Sequence, residues 1–193
     1  MRSQAVQKAN DLLGQKAYLA LKPLLMQCIS EGNHEALLAV KLLAATRGTG
    51  VRENAFYSLL AWQEAGLETM LDLALTAPFP HNLHLACDIL SSIAIGEMPS
   101  FKNAYQMEAW QEEVTKRFQD ASVFTSKAED ILRKLILSLD EADIDHLPSV
   151  LGFRFWFQNP KKLRLILSIA SLRWIAVGNK VIDDYLQLIV NRH

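Results

Sequence analysis

Long apolar runs, flexible linkers and cysteine chemistry are all scarce in this chain. No stretch reaches the roughly 20 consecutive apolar residues needed to cross a bilayer. The most apolar segment, "LRLILSIASLRWIAVG" over residues 163–178, is interrupted by Arg164 and Arg173. It reads as a buried helix, and membrane insertion is not expected. The opening "MRSQAVQKANDLLGQ" lacks the apolar core of a secretory signal and takes up helical spacing within a few residues, so export by that route is not supported. The two cysteines, Cys28 and Cys87, lie in apolar helical contexts outside any ligand motif and read as buried thiols. These features together point to a reducing cytoplasm. No Ser/Gly/Pro-rich, single-charge or low-complexity run divides the chain, so residues 1–193 read as one folded domain.

What is present is apolar material and an uneven charge. Half of the 193 residues are hydrophobic and 21% are charged, and a chain of this length buries roughly 70% of its unfolded surface. A mean hydropathy of +0.08 leaves apolar surface for a partner or a second copy. Formal net charge is -1, yet residues 147–193 hold seven basic side chains against two acidic ones, a net of +5, so the first 146 residues carry -6. Such polarity either orients an acidic partner, permits head-to-tail self-association, or is an excess on solvated faces.

Apolar residues recur three and four apart, as in Leu37, Val40, Leu43 and Ala44, in Phe56, Leu59 and Leu60, and in Ile131, Leu132, Leu135 and Ile136. Alternation of strand type is hard to find, so the chain reads as all-α. Asn33, Thr49 and Ser126 are placed as N-caps, and Ser126 with Glu129 has capping-box spacing. Gly32, Gly48, Gly66, Gly96 and Gly178 fall where helices should stop. Helices are predicted near 3–19, 23–31, 34–47, 51–65, 67–76, 81–95, 103–120, 126–139 and 160–177. Pro23 is placed near the start of its helix, where its missing N–H costs least.

Self-similarity narrows the architecture. "ACDILSSIAI" from Ala86 aligns with "AEDILRKLIL" from Ala128, a displacement of 42 residues, and with "SIASLRWIAVG" from Ser168, a displacement of 82. A further copy, "AVKLLAAT" from Ala39, precedes the first by 47. Segments 22–48 and 66–96 each give a short helix, a turn and a longer helix. This pattern resembles the second and third helices of an armadillo repeat, or more broadly HEAT-like repeats. The resemblance implies an α-α superhelix, a right-handed solenoid of about three to four degenerate repeats. It also implies a scaffold that binds another protein or peptide through a concave surface. The repeating Asn and Trp of a peptide-binding armadillo groove are absent: the matching places hold Lys41 and Ala45, Asp88 and Ser92, Asp130 and Lys134, and Ala170 and Trp174. Extended basic peptides are therefore not the expected ligand.

The stretch "RFWFQNPKKLRL" at 154–165 contains the letters WFQN of a homeodomain's DNA-reading helix. Pro160 follows Asn159 directly, and a proline inside a helix costs about 3 kcal/mol. Asn159 is better read as an N-cap and Pro160 as the first residue of a helix. Cations in that first turn, Lys161, Lys162 and Arg164, oppose the helix dipole and call for a compensating acid or anion.

No catalytic signature stands out, and a non-enzymatic role is expected. "HNLHLACD" at 81–88 groups His84, Cys87 and Asp88 with metal-ligand spacing, and "DEADIDH" at 140–146 groups carboxylates with an imidazole. A helix start with a buried Cys and an acidic connection explain them as well, and no metal or cofactor is expected. "RGTGVR" at 47–52 has two glycines and two arginines before a helix, as a phosphate cradle would. It follows a helix rather than a strand and reads as a tight turn. Partner contact is expected from outward-facing Lys41, Asp88, Ser92 and Lys134. The rival reading is a HEAT-like nucleic-acid-binding protein or DNA glycosylase setting Lys161, Lys162, Arg164 and Arg173 against phosphates.

Overall fold

The computed structural model describes residues 4–15, 18–46, 49–76, 80–99, 108–139 and 159–177, and these are helical with no strand among them. In chain order the α-helices are α1 (Gln4–Gly14), α2 (Tyr18–Glu31), α3 (His34–Ala44), α4 (Thr49–Ser58), α5 (Gln63–Thr76), α6 (Pro80–Ala94), α7 (Glu108–Phe118), α8 (Thr125–Ser138) and α9 (Pro160–Val177). Short 3-10 turns at Leu59–Trp62 and Ala121–Phe124 precede α5 and α8. The stretch at 154–158, the acidic cluster at 140–146, Arg47 with Gly48, and Gly178 lie outside the described residues.

Each helix forms because its apolar residues share one stripe. In α2 the buried set is Leu21, Leu24, Leu25, Cys28 and Ile29, and in α8 it is Ala128, Ile131, Leu132, Leu135 and Ile136. Both follow the three-and-four spacing of a helix face. Local punctuation agrees at several ends. Asn33 caps α3, its Oδ1 accepting from the Ala36 N–H at 2.8 Å. Gly32 stops α2 at φ +62° while its N–H donates to the Cys28 carbonyl at 3.0 Å. Gly96 follows α6 at φ +76°.

Other ends differ from expectation. α1 stops at Gly14, five residues before the predicted end. α2 begins at Tyr18, so Pro23 sits inside the helix rather than near its start. The proline is on the exposed side, where water can serve the carbonyl it leaves without a donor. The helix predicted over 51–65 is divided: α4 ends at Ser58, the 3-10 turn takes over, and α5 starts at Gln63 with φ +52° and ψ -126°. Gly66 therefore lies within α5 and ends nothing. A Cβ there would overlap the Leu59 carbonyl, so the glycine lets the first turn of α5 close on the preceding turn. Ser126 is not an N-cap either. Asp120 caps the 3-10 turn by accepting from the Ser122 N–H at 2.8 Å, and α8 grows out of that turn one residue earlier. Glu129 pairs forward with Arg133 at 3.1 Å.

Packing runs mostly between helices close in sequence. α1 lies on α2 and α3, α3 on α4 and α5, α5 on α6 and α8, α6 on α8, and α9 on α8 and α6. α7 is the exception, since it packs on the 59–62 turn and reaches back to α2. Its anchor is Trp110, fully enclosed, whose indole N–H donates to Ser58 Oγ at 2.7 Å while that hydroxyl donates to the Asn54 carbonyl at 2.7 Å. A buried indole holds its place only with such a partner.

The buried positions of one pair of helices follow the 42-residue displacement. Ala86, Ile89, Leu90 and Ile93 of α6 are buried, as are Ala128, Ile131, Leu132 and Leu135 of α8, and the two helices pack on each other. The 82-residue alignment fails for α9. Leu172, which it matches to buried Leu90, is 52% exposed, and α9 instead buries Ile166, Ile169 and Ala170.

Candidate interaction surface

α3, α5 and α8 stand side by side, α5 in the middle. Glu64, Glu68 and Asp72 recur every four residues along α5, so one face of that helix is a carboxylate ladder. Its partners come from both neighbours. Lys41 of α3 pairs with Asp72, and Lys127 of α8 reaches Glu68 at 2.6 Å and Glu64 at 3.6 Å. The Lys127 hydrogen bond and charge hold the Glu68 carboxyl below its usual range, with a smaller contribution from Lys134. Glu68 and Glu64 in turn raise the Lys127 ammonium. All these pairs meet solvent, where an isolated pair contributes about 0–1 kcal/mol. Their consequence is registration of three helices rather than bulk stability. Leu38, one turn before Lys41, and Leu75, one turn after Asp72, are 43% and 48% exposed among these charges.

Of the four residues expected to face a partner, the structure brings two to this face. Lys41 lies in it, although tied to Asp72, and Lys134 is exposed on α8 two turns beyond Lys127. The other two do not face outward. Ser92 is buried, its hydroxyl donating to the Asp88 carbonyl at 2.9 Å. Asp88 turns toward α9, where Lys162 Nζ meets its carboxylate at 2.8 Å and its carbonyl at 3.2 Å. The repeat alignment matched Lys41 with Asp88 and Ser92 with Lys134, but α9 packs on α6 and its Lys162 engages Asp88, while Lys41 of α3 faces α5.

The start of α9 confirms the cap and supplies the acids that the cations required. Asn159 Oδ1 accepts from the Lys162 N–H at 3.3 Å, and Asn159 Nδ2 donates to Glu97 Oε2 at 2.9 Å. Lys161 stands 3.8 Å from the same carboxylate. Lys162, only 12% exposed, is committed to Asp88. Arg164 is exposed and makes no ion pair among the described residues, and the Arg173 side chain lies outside them.

The remaining sequence candidates find other places. Cys87 is fully buried, and burial aided by Asp88 pushes its thiol up to about 12. Burial aided by Glu31 likewise pushes Cys28 up to about 11. With Asp88 turned to Lys162, His84, Cys87 and Asp88 do not converge, and no group of three His, Cys, Asp or Glu is arranged around an ion among the described residues. Arg52 is buried in α4 and is not presented to a phosphate; desolvation lowers its pKa.

A second constellation was not anticipated. Gly32, Trp62, Gln63, Glu113, Arg117 and Gln119 line an open hollow of about 590 Å³ where α2, the 59–62 turn and α7 all end. Carbonyls left over at such ends need donors. Arg117 Nη2 supplies one to Ser30 at 2.8 Å and Gln63 Nε2 one to Arg117 at 3.1 Å, while Trp62 Nε1 adds a second donor, at 3.0 Å, to the Asn33 carbonyl that already accepts from Leu37. Three lining residues, Gly32, Gln63 and Gln119, have positive φ. Nothing in the local sequence marks the two glutamines for that geometry.

No family model, curated protein or solved structure matches the chain. No helix among the described residues is long and apolar enough to cross a membrane.

Proposed function

We infer that the chain is a non-enzymatic scaffold that binds another protein through the face formed by α3, α5 and α8, and that it works in a reducing cytoplasm. One observation carries the reading: three helices share an exposed surface whose charges are fixed by cross-helix pairs and whose apolar side chains, Leu38 and Leu75, stand unburied among them. Apolar anchors within a rim of oriented charge are what a protein partner engages. An armadillo- or HEAT-like right-handed superhelix of three to four degenerate units accounts best for the shared buried positions of α6 and α8. The α7 to α2 contact is a departure from that plan. The nucleic-acid reading is disfavoured by the same geometry, because Lys162 is spent on Asp88 and Lys161 stands beside Glu97.

The test is affinity capture from the native host with wild type and with a Leu38→Ser, Leu75→Ser, Lys134→Glu variant. Exposed positions tolerate such changes within about 0.5 kcal/mol each, so fold is checked by circular dichroism and binding by the recovered proteins. Selective loss of wild-type partners supports the assigned face. An unchanged set from a folded variant removes it.

A further inference from the structure

The two extremes of the packing order, the α1–α2–α3 end and α9, carry opposite charge on exposed surfaces that no other described helix covers. Between α1, α2 and α3 runs a groove of about 470 Å³ lined by Asp11, Glu31 and Glu35 and by several glutamines, with Lys8 as its one cation. Gln27 is shared there, taking a hydrogen bond from Lys8 at 3.4 Å and giving one to Glu31 at 2.8 Å. The lining is left with a net charge of -2. At the other extreme, Lys161, Arg164, Ser168 and Leu172 form an exposed stripe on α9 at spacings of three, four and four. Those intervals place them on one helix face. α9 has 18 residues and is about 27 Å long, so its stripe can lie along a groove between helices. The stripe offers at one end Arg164, without an ion pair among the described residues, and Lys161, loosely held 3.8 Å from Glu97, and at the other an apolar side chain, 52% exposed.

We propose that this chain associates head to tail, the α9 stripe of one copy lying in the α1–α2–α3 groove of the next. Arg164 and Lys161 meet the carboxylates of Glu31, Glu35 and Asp11, while the groove amides serve polar groups between them. The two patches are different surfaces of the same molecule, so the contact is heterologous and builds open rows or closed rings rather than two-fold dimers. Charge of each sign kept at its own extreme also disfavours the reverse, like-to-like contact. The proposal is independent of the α3–α5–α8 face, whose residues it does not use.

Sedimentation of the full chain at rising protein concentration tests it, at about 0.1 M and about 1 M salt, between which the Debye length falls from about 10 Å to about 3 Å. The expected result is a mass that grows with concentration at low salt and stays monomeric at high salt. Arg164→Glu with Lys161→Gln, and separately Glu31→Lys with Glu35→Lys, should each weaken association at least about tenfold. Mixing the two variants should restore it, because each contributes the intact patch the other lacks. A monomer at every concentration overturns the proposal, as does a two-fold dimer indifferent to both variants. Arg164→Gln, which removes the charge without reversing it, should give an intermediate loss, and an unaltered affinity there counts against α9 as the donor.

Discussion

Replacing Gly32 by alanine acts on two separate things at once, and their sum can be resolved. The residue holds φ +62° at the end of α2, where an L side chain costs roughly 1–2 kcal/mol. The added methyl would also overlap Arg117 Nη1 and push the guanidinium off the Ser30 carbonyl, a contact of 2.8 Å. A hydrogen bond from a charged donor contributes about 1.5–3 kcal/mol when buried. At this partly exposed site about 1 kcal/mol is the appropriate figure. Together the loss is about 2–3 kcal/mol, or a fall of roughly 4–12 °C in melting temperature for a chain of this size. Urea unfolding followed by circular dichroism would measure it in wild type, Gly32→Ala, Arg117→Ala and the double variant. The double variant should lose about 1 kcal/mol less than the sum of the singles, because the arginine cannot be displaced twice. Strict additivity would refute the claim that glycine is needed for the arginine's seat, leaving only the backbone cost.

Two further outcomes follow from pairs described above. Asp88→Ala leaves the Lys162 ammonium, 12% exposed, without its carboxylate and should cost about 2 kcal/mol; Asp88→Ala with Lys162→Met should recover most of it, read by the same unfolding assay. Glu68 titrates below its ordinary value in the folded chain, so its contribution is complete above the unfolded pKa and fades as pH falls through the lower folded one. Glu68→Gln should therefore flatten the acid limb of a stability–pH curve, while leaving the relative loss toward neutral pH constant; an acid limb of unchanged slope would contradict the assigned pairing.

Much of the helical layout was legible because it is local. Asn33, Gly32, Asn159 and Pro160 act through groups within four residues, and each took its expected role. The break at Gln63 carries no Gly or Pro and is supported by a hydrogen bond from its side-chain amide to the Arg117 carbonyl, 54 residues away. Ser126 had the spacing of a cap but not the vacancy, since a turn from Asp120 already feeds the helix. The α5 carboxylates stand four apart in the sequence but were not singled out from it, because the lysines that make them a site come from α3 and α8 and share no sequence neighbourhood with them. The face of α6 was misjudged for a related reason. A match in sequence to α3 and α8 says how a helix is built, and the engagement of Asp88 depends on where α9 comes to rest.

The bond from Arg117 to Ser30 spans 87 residues. A ribosome adding about 5–20 residues per second leaves the tail of α2 waiting for roughly 4–17 s before its arginine exists. During that interval the nascent N-terminal helices present the Ser30 carbonyl without this donor and an unfilled recess to solvent or to a chaperone. A fragment ending before α7 would keep that end of α2 without its arginine for its lifetime.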